Sequence, residues 1–354
     1  EDYNNNQADD TNWYFAAKNP GNWSENIKVA IIDNAADQTI TPTLETGTIA
    51  ATKVGFGVTQ ALTGVTVGVG TTAAATGILK GVVTGKTATT IDVKVVSTVI
   101  DGSETLVDYQ QNSQFEFKTG TMLNIVNNSG TTVGKSSTIT SADWYNAQNI
   151  LTSVADGGSD FTTLKWRAVL NKPKTNNYVS RRDGANDALH VVVIDAGGGV
   201  TGDVGSVLEK FANLSKAKDG VASGNESVYY KDFLANNSEY IFSGAHVTNA
   251  DDSHHGTLVL PGGITGFTSI TAAEGSWGQD AKNIKFSSIG NQGYSLTGGL
   301  DYTGVGVYNA PLGDILTSYD KFSDPVDSDI RFLLQGGCSG SKEEEQAKAN
   351  KLIQ

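Results

Sequence analysis

The chain has 354 residues, more than one hydrophobic core usually serves, so two or three domains are expected. Its net charge of -13 would repel a phosphate backbone and argues against direct nucleic-acid binding, and its single cysteine, Cys338, excludes an intrachain disulfide. Only 18% of residues are charged, and 41 glycines together with many Thr, Val, Ser and Asn favour strands and turns over long helices. No apolar run approaches the ~18 residues of a membrane-spanning helix.

Residues 1–12 are polar and acidic and read as loop. A turn at Pro20 and Gly21 precedes a strand at 27–32 (IKVAII). From 49 to 140 the texture changes to short Val/Ile/Thr runs separated by glycine: GILKGVV at 77–83, TIDVKVV at 90–96 and MLNIV at 122–126. Runs this short, with turn signals every ~8–12 residues, predict a small all-β sandwich or barrel. The alternation of Ile91, Val93 and Val95 with Asp92 and Lys94 predicts a sheet with one wet face.

From 141 onward the texture is α/β. A short helix is predicted at 141–151, a strand at 163–170, and a strand buried on both faces at 189–194 (LHVVVI). Val204, Val207, Leu208, Phe211 and Leu214 follow helical spacing, predicting an amphipathic helix that ends near Asp219 and Gly220. A short helix at 229–234 and a strand at 238–242 come next. Gly-rich strand and loop fill 256–310, followed by a helix at 312–319 and a strand at 330–334. A last helix starts at Ser341, where Ser341 and Glu344 form a capping box. The fold class expected is mixed α+β and multi-domain. A discontinuous α/β core (1–48 and 141–310) carries an inserted β domain (49–140), and 311–354 begins a further α/β domain. The first residue, Glu1, and the late helix lead to the expectation of a piece of a longer chain.

Four segments have a chemical look. Residues 197–202 (GGGVTG) match G-x-G-x-x-G between a strand and a predicted helix, the place where a dinucleotide pyrophosphate meets a helix N-terminus. The second strand that such a site requires is missing, because 218–225 reads as loop. Residues 336–340 (GGCSG) put Cys338 at a strand-to-helix turn, like a nucleophile elbow, but 341–354 contain no His to serve as its base. His254 and His255 beside Asp251 and Asp252 could bind a metal, yet neighbours on an extended segment point to opposite faces. Asp320, Asp324, Asp327 and Asp329 read as a solvated linker. No catalytic, cofactor-binding or metal residues are therefore expected, and no cofactor.

An ordered series of segments resembles a known family. Residues 186–195 (NDALHVVVID), 207–211 (VLEKF), 214–219 (LSKAKD), 229–233 (YYKDF) and 237–242 (NSEYIF) resemble the tail sheath proteins of T-even-type contractile bacteriophages and their cyanophage relatives. So do 20–23 (PGNW), 27–32, Asp143, Trp144, Tyr145 and Gln148. Residues 172–176 (KPKTN) resemble the relatives' Lys-Pro-Gly-Thr-Ser with the Gly and Ser replaced, and 322–324, 329–334 and 336–340 resemble the entry into the next domain. The match is poor over 49–140. The resemblance implies a structural subunit and not an enzyme. It would stack as hexameric rings around a tail tube, with baseplate and tail-terminator partners, and contract to drive the tube through a host envelope. It also implies a place in the virion after synthesis in the host cytoplasm, with no membrane insertion. The family's strand-exchanging arms and most of its inner domain are expected to be missing from this stretch of chain, so weak or no self-association is expected of it alone. A β-rich surface adhesin is the alternative from composition, and a hydrolase using Cys338 is a third reading.

Overall fold

The structure is a computed structural model. It describes residues 13–19, 21–65, 75–127, 130–150, 164–247, 258–259, 271–272, 274–275, 277–299, 312–320 and 342–353. The strand expected at 330–334, Ser341 with its capping box, Cys338, the 251–255 cluster and Asp324, Asp327 and Asp329 lie outside these residues. The chain divides into two compact units, 1–19 with 24–297, and 20–23 with 298–354. Its class is mixed and strand-rich.

The first unit is organised by two sheets. In one, β2 (Ile27–Asp33) and β10 (Ala188–Asp195) lie at the centre, flanked by β11 (Ser206–Ser215) and β17 (Asn291–Ser295) in the order β11-β10-β2-β17, every pair antiparallel. All eight residues of β10 are buried, as its continuous apolar run requires. Between β2 and β10 the chain leaves to build a second sheet from β3 (Gln38–Thr46), β4 (Gly57–Val65), β5 (Ala75–Lys86), β6 (Ile91–Ile100), β8 (Leu123–Val126) and β9 (Thr132–Asp143). The order β3-β9-β8-β4-β5-β6 is closed by a β3–β6 pairing into a six-stranded antiparallel barrel. β7 (Ser103–Leu106) folds back on β6 through Asp101 and Gly102, both at positive φ, the signature of a tight hairpin turn. Closure removes most of the free strand edges that a sheet so rich in Val, Ile and Thr would otherwise expose.

The barrel is filled, not hollow. Ile40, Leu79, Val83, Ile91, Val93, Leu123, Ile125 and Ile139 point inward. Phe117, on the long excursion between β7 and β8, is fully buried among them. Gln38 and Gln60 hold that excursion like short pieces of strand. Gln38 Nε2 donates to Phe117 O (3.1 Å) and its Oε1 accepts from Phe117 N (2.8 Å). Gln60 treats Lys118 the same way. Gly81 is required where Phe117 packs, since a Cβ there would lie 2.7 Å from Val93 and 2.9 Å from the Phe117 ring.

Helices are short here. Asp143 caps a single turn, α1 (Trp144–Ala147), by accepting from Asn146 N. α2 (Trp166–Val169) is also one turn, where a strand was expected. α3 (Asn177–Ser180) is another, and α4 (Tyr230–Asn237) covers β11 through Phe211 and Phe233. β1 (Phe15–Ala17) pairs with β12 (Ile241–Ser243). Two minor ladders join β13 (Leu258–Val259) to β14 (Thr271–Ala272) and β15 (Glu274–Gly275) to β16 (Lys285–Phe286). In the second unit α5 (Leu312–Asp320) and α6 (Lys342–Ile353) pack together, and Lys351 Nζ meets Asp320 Oδ1 at 2.5 Å.

The expected amphipathic helix at 204–214 is the strand β11. Two bulges explain the false period. Val193 and Ile194 pair with Glu209 and Val207, and Leu189 and Val191 pair with Leu214 and Phe211. Each irregularity inserts one extra residue into β11, stretching the two-residue repeat of a strand to three and imitating one face of a helix. Of Asp92 and Lys94, both expected on a wet face, Lys94 reaches the end of β2, its Nζ donating to Asn34 O at 2.8 Å, while Asp92 is engaged within the barrel, accepting from Thr39 Oγ1 of β3 at 2.7 Å.

The barrel strands start at Gln38 and end at Asp143, and these two residues are paired partners, so both chain crossings lie side by side. Replacing 39–142 by a short Gly/Ser linker is expected to leave a cooperatively unfolding four-stranded half, measured by far-UV circular dichroism and urea denaturation. Removing only 49–140 would take away all but the last three residues of β9 and strand β3 with Ile40 uncovered, and aggregation is expected. Loss of cooperativity in the longer deletion would show that the barrel is integral to the core.

Candidate functional site

The densest chemistry in the described residues is a buried ionic joint where the barrel meets the four-stranded sheet. Asp33 ends β2, and Lys216 follows β11 directly. Lys216 Nζ lies 2.7 Å from Asp33 Oδ2, with neither side chain exposed. The same ammonium donates to Asn186 O (3.0 Å) and Ser287 O (2.9 Å), so its three protons are spent, and the Trp277 ring covers it at 4.9 Å. The Asp33 carboxylate also accepts from Ile289 N (2.8 Å) and Gly290 N (2.9 Å). One ion pair thus ties β2, the end of β11 and the segment leading into β17.

A second pair sits at the barrel entrance. Asp37 Oδ1 accepts from Lys172 Nζ (2.9 Å) and Oδ2 from Val95 N (2.9 Å). Trp144 N donates to Asp37 O (3.0 Å), which pins the outgoing chain to the returning one. Burial works to raise the Asp37 carboxyl, but Lys94 and Lys172 outweigh it and hold it below the usual range. Burial pulls Lys94 down, with Asp37 opposing. Asp187 completes the joint, accepting from Asn176 N, Asn176 Nδ2 and Ser215 Oγ at 2.7–2.9 Å.

These groups are fastened, not poised. A nucleophilic lysine needs a free lone pair, and a general base needs an open oxygen facing substrate. Lys216 has neither a spare proton nor an approach route, and Asp33 is engaged at both oxygens. His190 is equally committed. Its Nδ1 accepts from Asn213 N (3.0 Å), so the proton sits on Nε2 and is given to Asn171 O (2.6 Å), and burial lowers its pKa.

The glycine-rich segment at 197–202 connects two antiparallel strands and opens no helix. Asp195 Oδ2 accepts from Val200 N (3.0 Å), Thr201 N (2.7 Å) and Thr201 Oγ1 (2.8 Å). Burial would raise this carboxyl, yet the donors hold it low. The Asn26 side chain occupies the space over Gly197 and Gly199. A phosphate would meet a carboxylate and an amide there, so the loop is no dinucleotide site. Among the described residues no three His, Cys, Asp or Glu side chains gather to hold a metal ion, and no helix is long and apolar enough to cross a membrane.

Sequence reasoning missed the joint. Its residues are scattered from Asp33 to Ser287, and only Asp33, ending an apolar strand, carried a local hint. It also missed His246, whose Nδ1 lies 2.9 Å from Tyr230 OH beside Trp277. Burial, with Lys231 nearby, pushes the imidazole down to about 4. No protein-family model matches the chain, and no curated protein or solved structure matches it.

Two outcomes follow from these groups. Lys216→Met leaves the Asp33 charge buried and unpaired, and should lower the urea unfolding free energy by about 3–5 kcal/mol. The Asp33→Asn/Lys216→Met double variant should lose less than the sum of the single losses, and additivity would deny the coupling. His246 binds its proton in the unfolded chain near pH 6.5 but in the folded one only near 4. Stability should therefore fall as pH drops from ~6.5 toward 4, and His246→Gln should flatten that slope in urea midpoints.

Proposed function

We propose that this chain is a structural subunit of a contractile bacteriophage tail sheath, carrying the barrel as an outward decoration. One observation carries the reading. Apart from 20–23, which belongs to the second unit, the segments among the described residues that resemble sheath proteins fall in one half of the first unit. They are β2, α1, β10, β11, α4 and β12, with residues 172–176 feeding the ionic joint through Lys172. The stretch that does not resemble them, 49–140, falls within the barrel, whose chain enters and leaves at the paired residues Gln38 and Asp143. An old half and an added half joined at one point is how an insertion is built, because exposed connections tolerate added domains.

The chemistry is consistent with mechanical work. Charges that might have served a reaction are buried in the joint between the halves, and the glycine-rich loop is filled by Asn26 and Asp195. In the proposed role the full-length protein would stack as hexameric rings around a tail tube, and contraction would move such units as rigid bodies. Rigid units need stiff internal joints. The virion location, the tube, baseplate and terminator partners and the outward barrel belong to the same proposal.

The test is labelling of intact particles. Antibodies against the barrel should decorate the tail at regular intervals along its whole length, with the spacing shortened in contracted tails. Labelling confined to fibre tips would favour the adhesin reading, and an unlabelled tail would overturn the sheath reading.

A further inference from the structure

One nearly buried cation of the first unit has no counter-charge. Lys231 stands in the first turn of α4 and is only 8% exposed. Lys216, also buried, is met by a carboxylate and two carbonyls. Lys231 is met by nothing comparable. Among the described residues it forms no ion pair, and its ammonium donates no hydrogen bond. Burial lowers its pKa, with Asp232 opposing. A buried charge left in this state is costly unless something supplies the missing acceptor.

The groups around it are donors. The Tyr229 side chain gives α4 no cap, so the amides of Lys231 and Asp232, which have no acceptor within the helix, sit uncovered at its positive end. His246 arrives from the segment after β12. Its Nδ1 is taken by Tyr230 OH at 2.9 Å. With the phenol donating, the one proton of the neutral imidazole sits on Nε2, which among the described residues has no partner. Burial first and the nearby Lys231 charge second keep this ring neutral. Gly278, at φ +82°, leaves a space beside Nε2. A Cβ there would lie 2.8 Å from Nε2 and 3.3 Å from the Tyr229 hydroxyl oxygen, so any larger residue would close the space that glycine keeps open. The rings of Tyr230 and Trp277, edge to face at 5.4 Å, brace the same corner.

We propose that Lys231, His246 Nε2 and the first-turn amides of α4 form a binding site for a small oxyanion, a phosphate or carboxylate group. The donors select this chemistry. An ammonium, a ring N–H and backbone amides can all give protons and none can accept one. A metal ion would find no ligand here, and a neutral guest would leave Lys231 uncompensated. The net charge of -13 opposes long polyanions, so the guest is a single charged group and not a polymer. Asp232, the next residue along the helix, lends this end some negative charge, and the exposed Asp280 lies two residues past Gly278. Neither is bonded to Lys231, so the site is not filled from within, but both limit its affinity. The site does not depend on the sheath reading.

NMR titration of the whole chain at constant ionic strength tests it, with sodium phosphate in one arm, sodium acetate in the other and chloride as the balancing salt. The His246 ring signals should shift and saturate in at least one arm, and the arm that saturates tells phosphate from carboxylate. The His190 signals should stay still, since both of its ring nitrogens are bonded internally. Binding should also raise the His246 pKa from about 4, because the bound charge opposes the effects of burial and Lys231. Lys231→Met should weaken binding about tenfold with an unchanged circular dichroism spectrum. Lys231→Arg should retain binding, and Asp232→Asn should tighten it. Shifts that grow linearly in both arms, or saturation that Lys231→Met leaves unaltered, would overturn the site. Should Lys231→Met fail to fold, Asp232→Asn decides, and binding no tighter than in the parent chain would overturn it equally.

Discussion

The Asp33–Lys216 pair holds the first unit to one arrangement. Removing two charges from water costs several kcal/mol per ion, and only a complete set of partners offsets it. Here each ammonium proton and both carboxylate oxygens are used, and the donors and acceptors come from four separate stretches of chain. A slip of any one of them would leave a buried charge short of a partner. The pair therefore specifies geometry more than it adds stability. It decides which ends meet, at the point where β2 stops and the chain turns toward the barrel.

Asp37 extends this logic across the entrance. The barrel sits in the connection between the two central strands of the four-stranded sheet. Left to its peptide links it would be a body on two tethers. Lys172 from the sheet half and Lys94 from the barrel both bear on Asp37, and the Trp144 amide closes the gap between outgoing and returning chain. Below this point Trp144, Tyr145 and Trp166 pack on Ile32, Val192 and Ile194, so apolar contact continues where the charges end. The two halves should then move as one on fast timescales, which suits a subunit proposed to transmit force.

Much of this was legible in the residues, and the failures have physical causes. β2 and β10 could be read because strands buried on both faces are continuous apolar runs. The β character of 49–140 was legible from alternation at Ile91, Val93 and Val95, but closure was not, since it rests on three residue pairs between β3 and β6. β11 was misread because its bulges shift the apolar positions to helical spacing. Short helices such as α2 carry too few residues to show any period. The joint was invisible because lysines and aspartates in a sequence look solvated until topology brings them together.

The same blindness bears on a basic surface of the first unit. Arg181 and Arg182 were the densest basic spot along the chain, yet two adjacent arginines are an ordinary exposed turn. What changes their meaning is the fold, which sets Lys282, Lys285 and Lys218 beside them while Asp219 turns inward. Unpaired cations are costly to gather in one place unless solvent or a partner screens them. An acidic chain had carboxylates to spare for internal pairing, and at the joint it used them that way. At this surface the exposed acids on the same turns, Asp183 and Asp280, form no ion pair with the cations, so the charge stays in solvent.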